Sequence, residues 1–212
     1  MSESLQLVVV SAGLRQPSST RLLADRLAAS TERALDNQGR AAQVSVVELR
    51  ELATDIAHNL VTGFPNETLA EALKAVESAD GLIVVSPIFS ASFSGLFKSF
   101  FDLIDPEALS GTPVLIAATG GSVRHSLALE HALRPLFSYL HATVVPTGVY
   151  AATEDWGASS AAGTASADLG RRVDRAATEL AALLTTGMAT QRRQRPTEDY
   201  DDVVPFEQLL RG

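Results

Sequence analysis

The chain has 212 residues, 46% apolar and 20% charged, with a net charge of −8, a pI near 5.0 and no cysteine. That length suits one domain with a sizeable core, while the acidic balance argues against a nucleic-acid partner, whose phosphates need Lys and Arg to neutralise them. Absent cysteine excludes disulfides and thiolate metal sites, and no apolar run approaches the ~20 residues of a membrane span. Met1-Ser2-Glu3-Ser4 also lacks the basic start and long apolar centre of a secretion signal, so a cytoplasmic protein with no membrane partner is expected.

Leu5 to Val10 is an apolar run without alternation, the pattern of a strand covered on both faces. Ser11 to Thr20 follows, small and hydroxyl-rich with one arginine. The spacing then predicts a helix from Ser19 to Leu35, with Leu23, Leu27 and Ala34 inward and Gly39 beyond its end. Ala42 to Leu49 reads as a second strand and residues 50–65 as irregular or short-helical. Asn66 suits the cap of a helix through Ser78, with Leu69, Leu73 and Val76 facing in.

Gly81 to Ser86 is the third predicted strand, and Pro87 to Phe93 a loop. Ser94 then caps a helix whose Phe97, Phe100, Phe101 and Ile104 follow i, i+3, i+4, i+7. Thr112 to Thr119 is the fourth strand, ending in Gly120-Gly121-Ser122. A helix from about His125 places Leu129, Leu133, Leu136, Phe137 and Leu140 on one face, and Ala142 to Thr147 is the fifth strand. Ala151 to Ser166 reads as an exposed connection to a last amphipathic helix, Asp168 to Leu184.

Strands alternating with helices imply an α/β protein with a parallel sheet covered on both faces. Right-handed crossovers favour a doubly wound three-layer sandwich, here a flavodoxin-like one with five strands in the order 2-1-3-4-5. Residues 1–186 form the expected domain and 187–212 a tail. Within that tail Arg192, Arg193 and Arg195 read as solvated, whereas Val203-Val204-Pro205-Phe206 and Leu209-Leu210 are expected to dock on the domain or on a partner subunit.

Ligands of doubly wound sheets bind outside the carboxyl ends of the strands. In this strand order three loops rich in small residues converge there. The first, 11–20, leads into a helix N-terminus, where unpaired N–H groups and the helix dipole favour an anion. Ser18, Ser19 and Thr20 supply hydroxyls, and Arg15 a forked cation, so a phosphate is the expected occupant. In the second, Pro87, Ile88, Phe89, Ser90, Ala91, Ser92 and Phe93 offer backbone against which a flat ring could lie, although Phe89 and Phe93 also suit the core. The third, Thr119, Gly120, Gly121 and Ser122, lets the chain approach a ligand closely because glycine has no Cβ. Phosphate at one end and a flat heterocycle at the other describe a mononucleotide flavin, FMN. His125 reads as a surface or capping residue, and His58, His131 and His141 make no ligand pattern, so no metal is expected.

These motifs resemble those of the NAD(P)H-dependent FMN reductase family over roughly residues 5–155. Its phosphate motif, approximately G-S-x-R-x-x-S-x-[NST], has Gly13 at the small position, which leaves only a backbone donor there, then Arg15, Ser18 and Thr20, with Ser19 giving main chain. Its second motif appears as Pro87, Phe89, Gly95 and Lys98, and its third as Thr119 to Ser122. Residues 120–129, 134–137, Glu154-Asp155-Trp156 and the 203–210 ending are similar to an actinobacterial subgroup thought to partner luciferase-like monooxygenases. The resemblance implies FMN, with NADH or NADPH as co-substrate, hydride transfer from nicotinamide C4 to flavin N5, and reduced flavin supplied to a monooxygenase. It implies a homodimer or homotetramer and requires no catalytic acid or base; Trp156 has either a site role or a packing role. An FMN-dependent quinone, azo or chromate reductase has the same motifs. A flavodoxin-like electron carrier and a non-catalytic flavin module are further readings, but Arg15 and the small-residue ring loops favour an enzyme over a carrier.

Overall fold

The computed structural model describes residues 4–156 and 164–186, the side chains of 164–166 excepted; the tail at 187–212 and the middle of the 151–166 connection lie outside the described residues. The chain runs β1 (Leu5–Ser11), α1 (Ser19–Asp36), β2 (Ala42–Glu48), α2 (Ala53–Thr62), α3 (Glu67–Glu77) and β3 (Gly81–Phe89). It continues through β4 (Ser92–Phe93), α4 (Gly95–Phe101), β5 (Pro113–Gly120), α5 (Arg134–Tyr139), β6 (Thr143–Val144), β7 (Val149–Ala152) and α6 (Thr164–Thr185). The main path of the sheet is β2-β1-β3-β5-β6, and its pairings are parallel. This is the expected doubly wound order.

Side chains of β1 alternate between two cores. Val8 and Val10 join one built by α2 to α5, while Leu7 and Val9 join the other under α1 and α6. The first is dominated by aromatics: Phe97 packs on Phe101 with centroids 4.7 Å apart, and Phe137 meets Phe101 edge-on at 5.0 Å. Each such fully buried side chain contributes about 1.5–3 kcal/mol, so the strand ends below the loops are rigidly set.

Several expectations need correction. The sheet has seven strands rather than five. The third strand runs on to Phe89 and folds back as β4, so 87–93 is a hairpin with Ile88 opposite Phe93 and Phe89 opposite Ser92. The expected fifth strand is split, because Pro146 cannot donate to a ladder. Arg134 donates to the carbonyls of Val145 and Pro146 at 3.0 and 3.1 Å, and Glu179 accepts from Thr147 N and Oγ1 at 2.8 and 2.7 Å. Pairing with β5 resumes at Val149, so Ala151 and Ala152 are buried strand rather than exposed connection. The helix expected from His125 is a 3-10 turn (Val123–His125), a π turn (Leu129–Leu133) and then α5; Pro135, in the first turn of α5, has no N–H to continue the ladder. Residues 53–62 form a full helix, and α6 starts at Thr164.

Candidate cofactor site at the carboxyl edge of the sheet

β1 leaves the sheet at Ser11 and returns as α1 within eight residues. Ser18 is the N-cap: its backbone is extended and its Oγ accepts from Arg21 N at 3.2 Å. Between them the loop curls so tightly that a Cβ on Gly13 would lie 2.1 Å from Ser18 Oγ. Only glycine fits there. Among the described residues, the main-chain N–H groups of Gly13, Leu14, Arg15, Gln16, Ser18, Ser19 and Thr20 have no partner. A run of unpaired donors before a helix start is an anion cradle.

An open cleft of about 390 Å³ adjoins this loop, lined also by Arg21, Asp25, Glu48, Arg50 and Glu51. The three acidic residues are matched by two of the arginines. Arg21 pairs with Asp25 and Glu48, each at 2.7 Å, and Arg50 lies 3.6 Å from Glu51. Those bonds to Glu48 and then Asp25 hold the Arg21 guanidinium protonated beyond its ordinary range. Arg15 is exposed and, among the described residues, has no acidic partner. It is therefore the uncommitted cation of the cleft. Ser18 retains its hydroxyl hydrogen for a ligand, and Ser19 is exposed. Thr20 is buried, and its Oγ1 lies 2.8 Å from Thr119 Oγ1, tying the first loop to the third.

The other two loops meet beside it, since Ser86 and Pro87 pair in register with Ala118 and Thr119. At the hairpin tip Ser90 and Ala91 have φ of 49° and 66°, a two-residue turn usually given to Asn-Gly, so the tip is strained. Phe89 stands half exposed, and Phe93 packs on Phe97 at 5.6 Å. Sequence reasoning missed the residue that fastens this hairpin. Ser86 is buried, accepts from Ser94 N at 3.0 Å and donates to Pro87 O at 2.9 Å. It missed Tyr150 too, whose hydroxyl donates to the Ser122 carbonyl at 2.7 Å behind the glycine turn. Both contacts are long in sequence or follow an unremarkable strand, and no motif marks them.

Thr119 to Ser122 thus meets the cradle through Thr20 and follows β5, the strand beside the hairpin-bearing β3. His125 is exposed on the 3-10 turn, and Trp156 packs under Arg26, 4.9 Å over its ring, against the α1–α6 core. The donor set fits FMN: unpaired amides, hydroxyls and one free guanidinium for the phosphate, and a glycine turn without side chains for the ring. No group of three or more His, Cys, Asp or Glu among the described residues could hold a metal, and no helix among them is long and apolar enough to cross a membrane.

A doubly wound sheet of this strand order, its first strand running through a loop of unpaired donors into a helix, defines a flavodoxin-like protein. The family model for NADPH-dependent FMN reductase matches residues 5–157, and the chain belongs to that family. It is 42% identical over 156 residues to the FMN reductase (NADPH) of Pseudomonas aeruginosa, covering 74% of this chain and 81% of the relative. It is also 42% identical over 150 residues to the NADH-dependent FMN reductase SfnF of Pseudomonas putida, covering 71% and 78%. Among solved structures it is similar to an oxidoreductase from Corynebacterium diphtheriae at 48% identity and a TM-score of 0.83, covering 87% of this chain and 99% of the other.

Proposed function

We propose that this chain reduces FMN with NADH or NADPH and releases reduced flavin to an acceptor such as a flavin-dependent monooxygenase. When bound, FMN would supply the acceptor for a hydride, one proton with two electrons, given up by the nicotinamide as it becomes NAD(P)+. The observation that carries the reading is the unpaired cradle at Gly13–Thr20 with its uncommitted Arg15, adjoining the Gly120–Ser122 turn.

The chain's own residues work by placement and electrostatics. Arg15 and the amides of the cradle hold the phosphate against the repulsion of a −8 chain. Ser18 and Ser19 add hydroxyl donors, and Thr20 aligns the loop through Thr119. Pro87 to Phe93 and Thr119 to Ser122 border the ring, with main chain in preference to side chain. No side chain is assigned a proton-transfer role. The test is direct: record the flavin spectrum of the purified protein, then follow NADH and NADPH oxidation with FMN, FAD or riboflavin. FMN-dependent oxidation is expected; failure both to bind FMN and to oxidise either nicotinamide would sink the reading.

A further inference from the structure

Tyr150 plays no part in the reading above, yet it stands directly behind the glycine turn. It is 4% exposed in β7, and its hydroxyl reaches the Ser122 carbonyl, which also accepts from His125 N at 3.3 Å. A trans peptide is planar, with its C=O and N–H pointing in opposite directions. Drawing the Ser122 carbonyl inward to Tyr150 therefore turns the N–H of Val123 outward. Among the described residues the N–H groups of Gly121, Ser122 and Val123 have no partner. Successive donors of this kind make a concavity that favours anionic oxygen.

Two features make the arrangement deliberate in physical terms. A Cβ on Gly120 would lie 2.0 Å from the Tyr150 hydroxyl, so only glycine lets the turn and the ring approach this closely. Tyr150 is held from behind as well: Arg172 of α6 donates to its carbonyl and pairs at 2.9 Å with Asp155. Asp155 is itself buried and accepts from Ala152 N at 2.8 Å. Burial, and then the charge of Asp155, push the phenol above its ordinary pKa, which keeps the hydroxyl a neutral donor.

We propose that Tyr150 is a positioning residue for flavin reduction, holding the Ser122 carbonyl so that the amides of Gly121, Ser122 and Val123 face the pyrimidine side of the flavin. Hydride uptake leaves a negative charge on that side, so donors fixed there favour reduced FMN over oxidised FMN. The inference rests on the FMN reading above. It goes beyond it in naming a residue buried behind the glycine turn.

The experiment compares wild type with Tyr150→Phe, which keeps the ring over Gly120 and removes only the hydroxyl. Titration with oxidised FMN and, anaerobically, with reduced FMN gives both affinities. The expected result is oxidised affinity within about threefold of wild type and reduced affinity weaker by about tenfold. That ratio lowers the two-electron potential of bound FMN by about 30 mV. Equal losses for both redox forms would mark Tyr150 as merely structural and overturn the inference, as would an unchanged potential. Wild type that binds no FMN would overturn the FMN reading itself, a separate outcome. Should Tyr150→Phe not fold, Tyr150→Leu carries the same test, because it too removes the hydroxyl at a position behind the turn rather than in it; the same selective loss is expected, and no loss would overturn the proposal.

Discussion

Between Ser11 and Thr20 the chain passes from strand to helix without leaving its own neighbourhood, and the cap of α1 comes from Ser18 in the same loop. The ring end of the site is assembled differently. Its hairpin hangs on Ser86, its glycine turn on Tyr150, and the two ends are joined by one hydroxyl pair, Thr20 to Thr119, across 99 residues. A local loop depends on the missing Cβ of one glycine. A tertiary loop depends on buried hydroxyls that no loop residue controls. The two ends therefore break under different substitutions and against different ligands, and riboflavin, which lacks the phosphate, separates them.

The largest effect is expected from Arg15→Ala. Loss of one charge-assisted contact of about 1.5–3 kcal/mol weakens FMN binding roughly ten- to a hundredfold. Riboflavin binding stays as in wild type, because the change touches only the phosphate end. Equal losses for the two flavins would contradict the division drawn above. Next is Ser86→Ala, which leaves the buried N–H of Ser94 without its acceptor. Such an orphan costs about 1–3 kcal/mol, read as a lower denaturation midpoint. Here FMN and riboflavin should weaken together if the hairpin borders the ring as proposed; an FMN-only effect would place the hairpin at the wrong end.

How far the sequence reveals each end follows from the same difference. Strand β1, helix α1 and their junction are written in contiguous apolar, hydroxyl and glycine residues, so the helix start and the Gly13–Thr20 loop are legible without a structure. The strand order is legible as well, because alternation and crossover rules leave few choices. The hairpin at 87–93 is not. Its turn uses Ser90-Ala91 in a left-handed conformation for which neither residue is a signal, and apolar Ile88 and Phe89 read equally as strand or loop. The split of the last strand is likewise hidden, since Arg134 and Glu179 hold residues 145–147 from two different helices. Tyr150 carries no motif at all, and what gives it a role is only its distance from Gly120 and Ser122.

A smaller effect tests the joint between the ends. Thr119→Val removes one hydroxyl and leaves that of Thr20 buried without a partner, at a cost of about 1 kcal/mol in stability. Thr20→Val combined with Thr119→Val replaces both partners by apolar groups of the same shape and should restore most of that loss. Thermal or denaturant unfolding of the three variants checks it. If the double variant instead shows the sum of the single losses, the hydroxyl pair does not join the loops in solution.

The smallest effect sharpens the distinction between two arginines that share the cleft. Arg21 directly follows the cradle, in the first turn of α1, and its ion pairs to Asp25 and Glu48 are short. Its side chain is 38% exposed, however, and exposed pairs are screened, contributing about 1 kcal/mol or less. Arg21→Gln should therefore lower stability slightly at low salt and negligibly near 1 M, where the Debye length is about 3 Å. FMN affinity should change little, because the guanidinium is already committed to two carboxylates. A fall in FMN affinity as large as that of Arg15→Ala would mean that the phosphate draws Arg21 away from Glu48, and that the cation serving the phosphate end comes from the helix rather than from the loop. Measuring the FMN and riboflavin affinities of both variants at one salt concentration decides it, since loss of the cation that serves the phosphate weakens FMN and leaves riboflavin unchanged.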